Sequence, residues 1–219
     1  MTHLRSKFIV FDGGEGCGKS TQAKMLRDRL AGDGAAVQLV HDPGFTRIGE
    51  EIRQLLLNPE NTDMGMRCEM LLYMAARAQM MWERIRPALD DGQVVISDRF
   101  VSSTLAYQLG GDGLTADDIR AVADIAIKGR WPDLTIILDM PVEGSTLRVR
   151  PKFTLFPDDP DAGVEKDRIE QRPLEYHQKV RQNYLSQAQA DPQRYRIVRA
   201  DRTPDEVHEE VWHHVTALR

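Results

Sequence analysis

The sequence predicts an α/β fold: a five-stranded parallel sheet with helices on both faces, three layers in all. Three observations predict it. Short β-rich runs alternate along the chain with longer stretches of helical spacing, as βαβ units require. The runs are near-continuously apolar rather than alternating, the pattern of strands covered on both faces. The first run leads directly into a glycine-rich loop and a helix, and ligands of open α/β sheets bind beyond the carboxyl ends of the strands.

The first strand spans 8–11 and the helix after the loop spans 19–30. A second strand at 36–40 runs into His41-Asp42-Pro43-Gly44-Phe45-Thr46, where Pro-Gly marks a turn. A helix follows at 48–57, then a long helical pattern over 67–89. The third strand, 94–96, ends in Ser97-Asp98-Arg99, and a helix start rich in hydroxyls follows at Ser102-Ser103-Thr104. A helix at 116–127 precedes the fourth strand at 134–138. Residues 148–172 break the pattern, with Pro151, Pro157, Pro160 and no clear period. Such a segment reads as an exposed loop or, at this length in a compact chain, as a lid. The helix at 173–190, the strand at 195–198 and the helix at 204–218 complete the set. With no internal repeat, the expectation is one domain over 1–219.

Composition narrows the function classes. The 219 residues carry a net charge of −5, which gives no general attraction to nucleic acid or an anionic membrane. No apolar run is long enough to span a bilayer, and Met1 to Lys7 carries no apolar signal core. Cys17 and Cys68 form no metal or disulfide framework. A cytoplasmic protein is expected, without a nucleic-acid or membrane partner.

The strongest chemical signal is Gly13-Gly14-Glu15-Gly16-Cys17-Gly18-Lys19-Ser20, followed by Thr21. It fits G-x-x-x-x-G-K-[ST] between a strand and a helix. Glycines let backbone N–H groups converge on phosphate oxygens, and the helix start adds unpaired donors and a positive dipole end. Lys19 supplies a point charge to the phosphates, and the Ser20 hydroxyl suits Mg²⁺. Residues 13–21 are therefore the expected ATP site. This loop fixes the donor, not the reaction, because switches, motors and kinases share it.

Acceptor groups sit at other strand ends. Asp98 suits a water on Mg²⁺ and Arg99 a second phosphate, although Asp-Arg also suits a solvated ion pair. Ser102 to Thr104 also suit simple N-caps. Tyr73 and Arg77, four apart on one helix face, can stack on a base and bond its edge; a core tyrosine beside a surface arginine is the plainer alternative. Met70, Met74 and Met81 read as core filler. Arg53 follows the Pro-Gly turn by about a helical turn beyond its helix start. His208, His213 and His214 share no helix face and read as solvated rather than metal ligands. Cys17, near a helix N-terminus, is a candidate oxidation-sensitive thiol.

Together these residues resemble bacterial thymidylate kinase. The resemblance rests on Phe11 to Thr21, Asp98-Arg99 with Ser103 and Ala106-Tyr107-Gln108, Leu71 to Gln79, Pro132-Asp133-Leu134-Thr135 and Asp167-Arg168-Ile169-Glu170. It covers most of the chain in the family's order. It implies a three-layer α/β/α P-loop kinase fold with a lid insertion, transfer of the γ-phosphate of ATP to dTMP, Mg²⁺ and a homodimer. Carried onto this chain, it makes Lys19, Glu15, Arg99 and a lid arginine (Arg148, Arg150 or Arg168) catalytic, and Ser20 and Asp98 the Mg²⁺ ligands. Asp42, Phe45, Arg53, Tyr73, Arg77, Ser103, Thr104, Tyr107 and Gln108 join Glu15 and Arg99 around dTMP. Tyr73 replaces the usual stacking phenylalanine. His41 stands at an arginine position and Phe45 at a glycine, and 151–165 is longer and more acidic than the usual lid. A kinase for another nucleoside monophosphate or a deoxynucleoside, and a P-loop switch or ATPase, are the rival readings.

Overall fold

The computed structural model describes residues 2–142 and 167–218. Most of the expected lid, 148–166, lies outside the described residues, and so do Arg148 and Arg150. The five expected strands are present: β1 (Phe8–Gly13), β2 (Val37–His41), β3 (Val94–Asp98), β4 (Leu134–Asp139) and β5 (Tyr195–Arg199). They form one parallel sheet in the order β2-β3-β1-β4-β5. The register sets Phe11 opposite Asp98, and His41 also opposite Asp98. The loop after β1 therefore emerges beside Asp98-Arg99 and the His41 turn.

Successive residues of β1 pack into opposite faces, as a strand's period of two dictates. Ile9 and Phe11 meet α1 (Lys19–Gly32) and α8 (Pro204–Thr216) through Leu26, Leu30, Val207 and Val211. Phe8 and Val10 meet α3 (Met66–Met80), α5 (Val101–Tyr107) and α6 (Ala116–Ile127) through Met74, Leu105 and Ile119. Val180 and Tyr184 of α7 (Leu174–Ala190) pack on Ile137 and Ile169. Burial on both faces holds for β1, β3 and β4 but not for β2 and β5, which are only partly covered. Each of these is an edge strand, where helix cover runs out.

The expected helix over 67–89 is interrupted. After α3 the chain makes a π turn, Met81–Ile85, before α4 (Arg86–Asp90). Pro87 is the physical reason: it has no N–H to donate and its ring clashes with the carbonyl four residues back, so the ladder widens there. Met70, Met74 and Met81 are buried, as core filler should be. Ser102 and Ser103 lie inside α5 and cap nothing; Phe100 holds the cap position. Thr46 does cap α2 (Arg47–Leu57), accepting from the Gly49 N–H at 3.0 Å. His208 is not solvated: it is buried on α8 with Nδ1 3.3 Å from Gln22 Oε1, and burial lowers its pKa.

Candidate active site

Three described helix starts, those of α2, α6 and α8, are closed by a threonine side chain. Thr115 with Asp118 and Thr203 with Glu206 form reciprocal capping boxes on α6 and α8. The start of α1 is different. Its cap is Gly18, in left-handed backbone at φ 91°, and no side chain bonds the helix's first N–H groups. Those donors, with the dipole behind them, are left for an anion. Lys19 is 6% exposed and its Nζ donates to the Gly14 carbonyl at 2.6 Å. Ser20 donates to the Asp98 carboxylate across the β1–β3 boundary.

Cys17 lies beneath the loop, its thiol donating to the Gly14 carbonyl at 3.0 Å. Burial pushes its pKa up, against the pull of Lys19 and Arg99. A buried thiol held protonated is a poor nucleophile, so burial counts against the expectation of an oxidation-sensitive cysteine.

Arg99 adopts φ 70°, an unfavourable region for a residue with a Cβ, and stays there only because its surroundings over-determine it. Its Nη2 donates to Glu15 Oε1 at 2.5 Å and to the Tyr107 hydroxyl at 3.4 Å. Its Nη1 donates to Ser103 Oγ at 3.1 Å, to the Tyr184 hydroxyl at 3.3 Å and to the Gly13 carbonyl at 3.3 Å. Burial alone would lower its pKa, but Glu15 and its other neighbours raise it well above the usual value. Beneath it lies Asp12, fully buried, which accepts from Ser102, from Ser103 at 2.5 Å and from Tyr184 at 2.8 Å. By taking those hydroxyl protons, Asp12 leaves the Ser103 and Tyr184 oxygens to accept from Arg99.

A second cluster lies where α3 faces α5. Glu69, Tyr73 and Arg77 succeed one another at four-residue intervals along α3, so they share a face. Arg77 is 1% exposed, which overturns the surface alternative. It holds Asp42 through Nε at 2.7 Å and Nη2 at 2.6 Å, and donates to the Phe100 carbonyl at 3.1 Å and to Thr104 at 3.3 Å. Burial raises the Asp42 pKa despite Arg77. Among the described residues Asp42 Oδ1 has no hydrogen-bond partner, a gap that a ligand or water would close. Tyr73 is half-buried, and burial, then Glu69, raise its phenol pKa. Gln108 donates to Glu69 Oε1 at 2.7 Å. Arg168 and Arg172 reach Glu69 Oε2 at 2.5 and 2.7 Å.

The two departures in the turn after β2 support each other. Phe45 has φ 64° and its N–H donates to Glu50 Oε1 at 2.5 Å. His41 Nε2 lies 3.3 Å from the same oxygen, and the two rings meet edge-on at 5.6 Å. The glycine expected at 45 would take that backbone without strain; here Glu50 and His41 hold it. Arg53 donates to the Pro43 carbonyl of this turn at 3.2 Å.

Sequence reasoning missed the roles of Asp12, Glu69 and Tyr184. Asp12, a carboxylate ending an apolar strand, and Glu69, one turn before Tyr73, carried a readable signal. Tyr184 carried none, being one tyrosine in an ordinary helical pattern. Ser20 and Asp98 present adjacent hard oxygens, which fits Mg²⁺: that ion is bound by one or two protein oxygens plus phosphate and water rather than by a closed protein cage.

The open helix start after β1, with Lys19, Ser20 and Asp98 around it, is the phosphate cradle of the P-loop nucleotide-binding class. A family model described as thymidylate kinase matches residues 11–211. The thymidylate kinase of Syntrophotalea carbinolica is 44% identical over 207 residues, covering 94% of each chain. That of Halothermothrix orenii is also 44% identical, covering 97% of each chain. The crystal structure of thymidylate kinase from Ehrlichia chaffeensis superposes with a TM-score of 0.73 at 27% identity, over 95% of this chain and 98% of that one. This chain belongs to the thymidylate kinase family and is, as a member, an ATP-dependent nucleoside monophosphate kinase acting on dTMP.

The thiol geometry has a direct check. Iodoacetamide on the native protein should alkylate exposed Cys68 alone, and Cys17 only after denaturation. Equal labelling of both thiols in the native state, read by peptide mass spectrometry, would contradict the burial of Cys17.

Proposed function

We propose that residues 13–21 hold ATP and that the pocket between α3, α5 and the His41 turn holds dTMP, for γ-phosphate transfer giving dTDP and ADP on the way to dTTP. The observation that carries this reading is Arg99. It follows the end of β3, and each of its two terminal nitrogens bridges the P-loop to α5: Nη1 reaches the Gly13 carbonyl and Ser103, Nη2 reaches Glu15 and Tyr107. A cation so placed lies between the two phosphate tails.

Phosphoryl transfer asks for alignment and charge neutralisation rather than a nucleophilic side chain. Lys19 turns from the Gly14 carbonyl to the donor phosphates. Arg99 grips the acceptor phosphate, and Arg53, at the neighbouring turn, adds positive charge. Glu15, paired to Arg99 and Tyr107, faces the sugar and limits where the acceptor phosphate can sit. It is not required as a base, because a phosphate monoester is largely ionised near pH 7. Tyr73 stacks on thymine, Arg77 donates to a base carbonyl, and Thr104, Ser103, Phe45 and Asp42 shape the wall. Ser20 and Asp98 would hold Mg²⁺, which when bound neutralises charge between the donor phosphates. Arg150 and Arg168 are the candidates for a further cation on the transferring group, and the lid over 148–172 completes a single domain of 1–219.

The enzyme is also proposed to be a cytoplasmic homodimer, without nucleic-acid or membrane partners. No described helix is long and apolar enough to cross a membrane. Leu55 of α2, Leu71 of α3, Trp82 of the π turn and Ile125 of α6 are exposed, at 51, 53, 71 and 79%. Packed helices that carry large apolar side chains outward make a face suited to a second copy.

Three measurements test this. An ADP-release assay should require an acceptor and run fastest with dTMP against dUMP, dCMP and thymidine; Lys19→Ala should lower kcat by about 10²-fold or more, the scale of losing one preorganised donor, with the melting temperature unchanged. ADP release at full rate without any acceptor would favour a hydrolytic switch. Tyr73→Ala should weaken dTMP by about 1–3 kcal/mol and leave the KM for ATP alone; a rise in the ATP KM instead would place that helix on the donor side. Sedimentation should show a dimer that Trp82→Glu converts to monomer, and a monomeric wild type would remove this part of the proposal.

A further inference from the structure

Glu69 is fully buried and gathers three donors. Two are guanidinium groups, which have nothing but donors to offer, so Glu69 acts as an acceptor. Its third partner, Gln108, must then face it with the NH₂ end of the amide, at 2.7 Å. An amide carries its donor and acceptor on opposite branches of one carbon. With the NH₂ on Glu69, the other branch of Gln108 is a carbonyl oxygen and nothing else. Gln108 is buried at the end of α5, one turn beyond Thr104, which touches Arg77. Tyr73 lies one turn along α3 from Glu69, between it and Arg77.

From this we propose that Glu69 is a positioning residue for base specificity: it locks Gln108 so that an acceptor, beside the donors of Arg77, faces the base. The inference rests on the placing of dTMP in the α3–α5 pocket and deepens it. A pyrimidine with an N3–H donor next to a 4-oxo acceptor matches that pair. A 4-amino pyrimidine presents a lone pair at N3 to the Gln108 oxygen and N–H groups to a guanidinium, and both contacts are repulsive. A site whose polar groups cannot rotate to suit the wrong partner discriminates far better than one that can. Arg168 and Arg172 contribute by satisfying the remaining lone pairs of Glu69, which keeps Glu69 itself from turning.

The test is the ratio of kcat/KM for dTMP over dCMP, with the Ki of dCMP used where its turnover is too slow. Glu69→Gln places a donor-or-acceptor amide against Gln108 and frees it to flip. The ratio should fall by at least tenfold while the KM for ATP stays within about twofold of wild type, about 1.4 kcal/mol of discrimination lost. Gln108→Leu should lower the ratio comparably, and adding Glu69→Gln to it should lower it no further. The exchange Glu69→Gln with Gln108→Glu returns an acceptor-only group to 108 and should recover preference for dTMP relative to Glu69→Gln alone. A wild-type ratio in Glu69→Gln would overturn the proposal. If that variant does not fold, an unchanged ratio in Gln108→Leu overturns it just as well. A wild-type enzyme that turns over no dTMP would sink the assignment of function instead, which is a separate outcome.

Discussion

Arg99 is the constraint on which the site depends. A guanidinium in a half-closed cleft is stable only with acceptors around it, and the five acceptors here come from four elements: Glu15 from the P-loop, Gly13 from β1, Ser103 and Tyr107 from α5, Tyr184 from α7. Four separate stretches of the chain must arrive correctly for one cation to be held. The left-handed backbone at Arg99 belongs to the same account. It costs on the order of 1–3 kcal/mol, and it directs the side chain back across the sheet end toward the P-loop rather than outward. The parallel register makes this possible, since Phe11 and Asp98 lie side by side.

The acceptor pocket applies the same logic with opposite emphasis. Asp42–Arg77 and Glu69–Arg168–Arg172 are buried ion pairs. Such pairs contribute little net stability compared with apolar packing, because desolvation offsets most of the Coulomb attraction. Their retention in a pocket makes sense as orientation. Arg77 has one edge fixed on Asp42 and the Phe100 carbonyl, and Gln108 has one end fixed on Glu69. Each is thereby a directed group, and in the proposed placing of dTMP a base entering between them would meet polarity set before it arrived.

The fold was legible because it rests on local signals. Apolar runs of three to five residues and a glycine loop are readable within short windows; helix caps were not, since Ser102 and Ser103 lie inside α5 and Phe100 holds its cap position. What was not legible depends on three-dimensional closure. Pro87 was visible in the sequence, but the widened π turn that accommodates it is a compromise between helix and proline that period alone does not reveal. Burial of Arg77 turned on Asp42, thirty-five residues away, and burial of Cys17 on packing under the P-loop. His208 read as polar surface because its partner, Gln22, sits on another helix. For Arg77 and His208 a polar residue was misjudged because its partner was distant in sequence, which is where pattern reasoning has no purchase.

Arg168 shows how such partnerships bear on mechanism. As a cation on the transferring phosphoryl group it would have to leave Glu69 and the Leu56 carbonyl, both of which it holds in this structure. Breaking a buried pair costs about 3–5 kcal/mol. A well-placed arginine accelerates phosphoryl transfer by about 10³–10⁵-fold, equivalent to about 4–7 kcal/mol. The exchange would consume most of what it gained, and Glu69 would be left with Arg172 alone to balance it. Staying in place costs nothing and preserves the orientation of Gln108. The energetics therefore weigh, under the proposed placing of dTMP, for Arg168 as a fixed partner of Glu69 rather than a mobile charge.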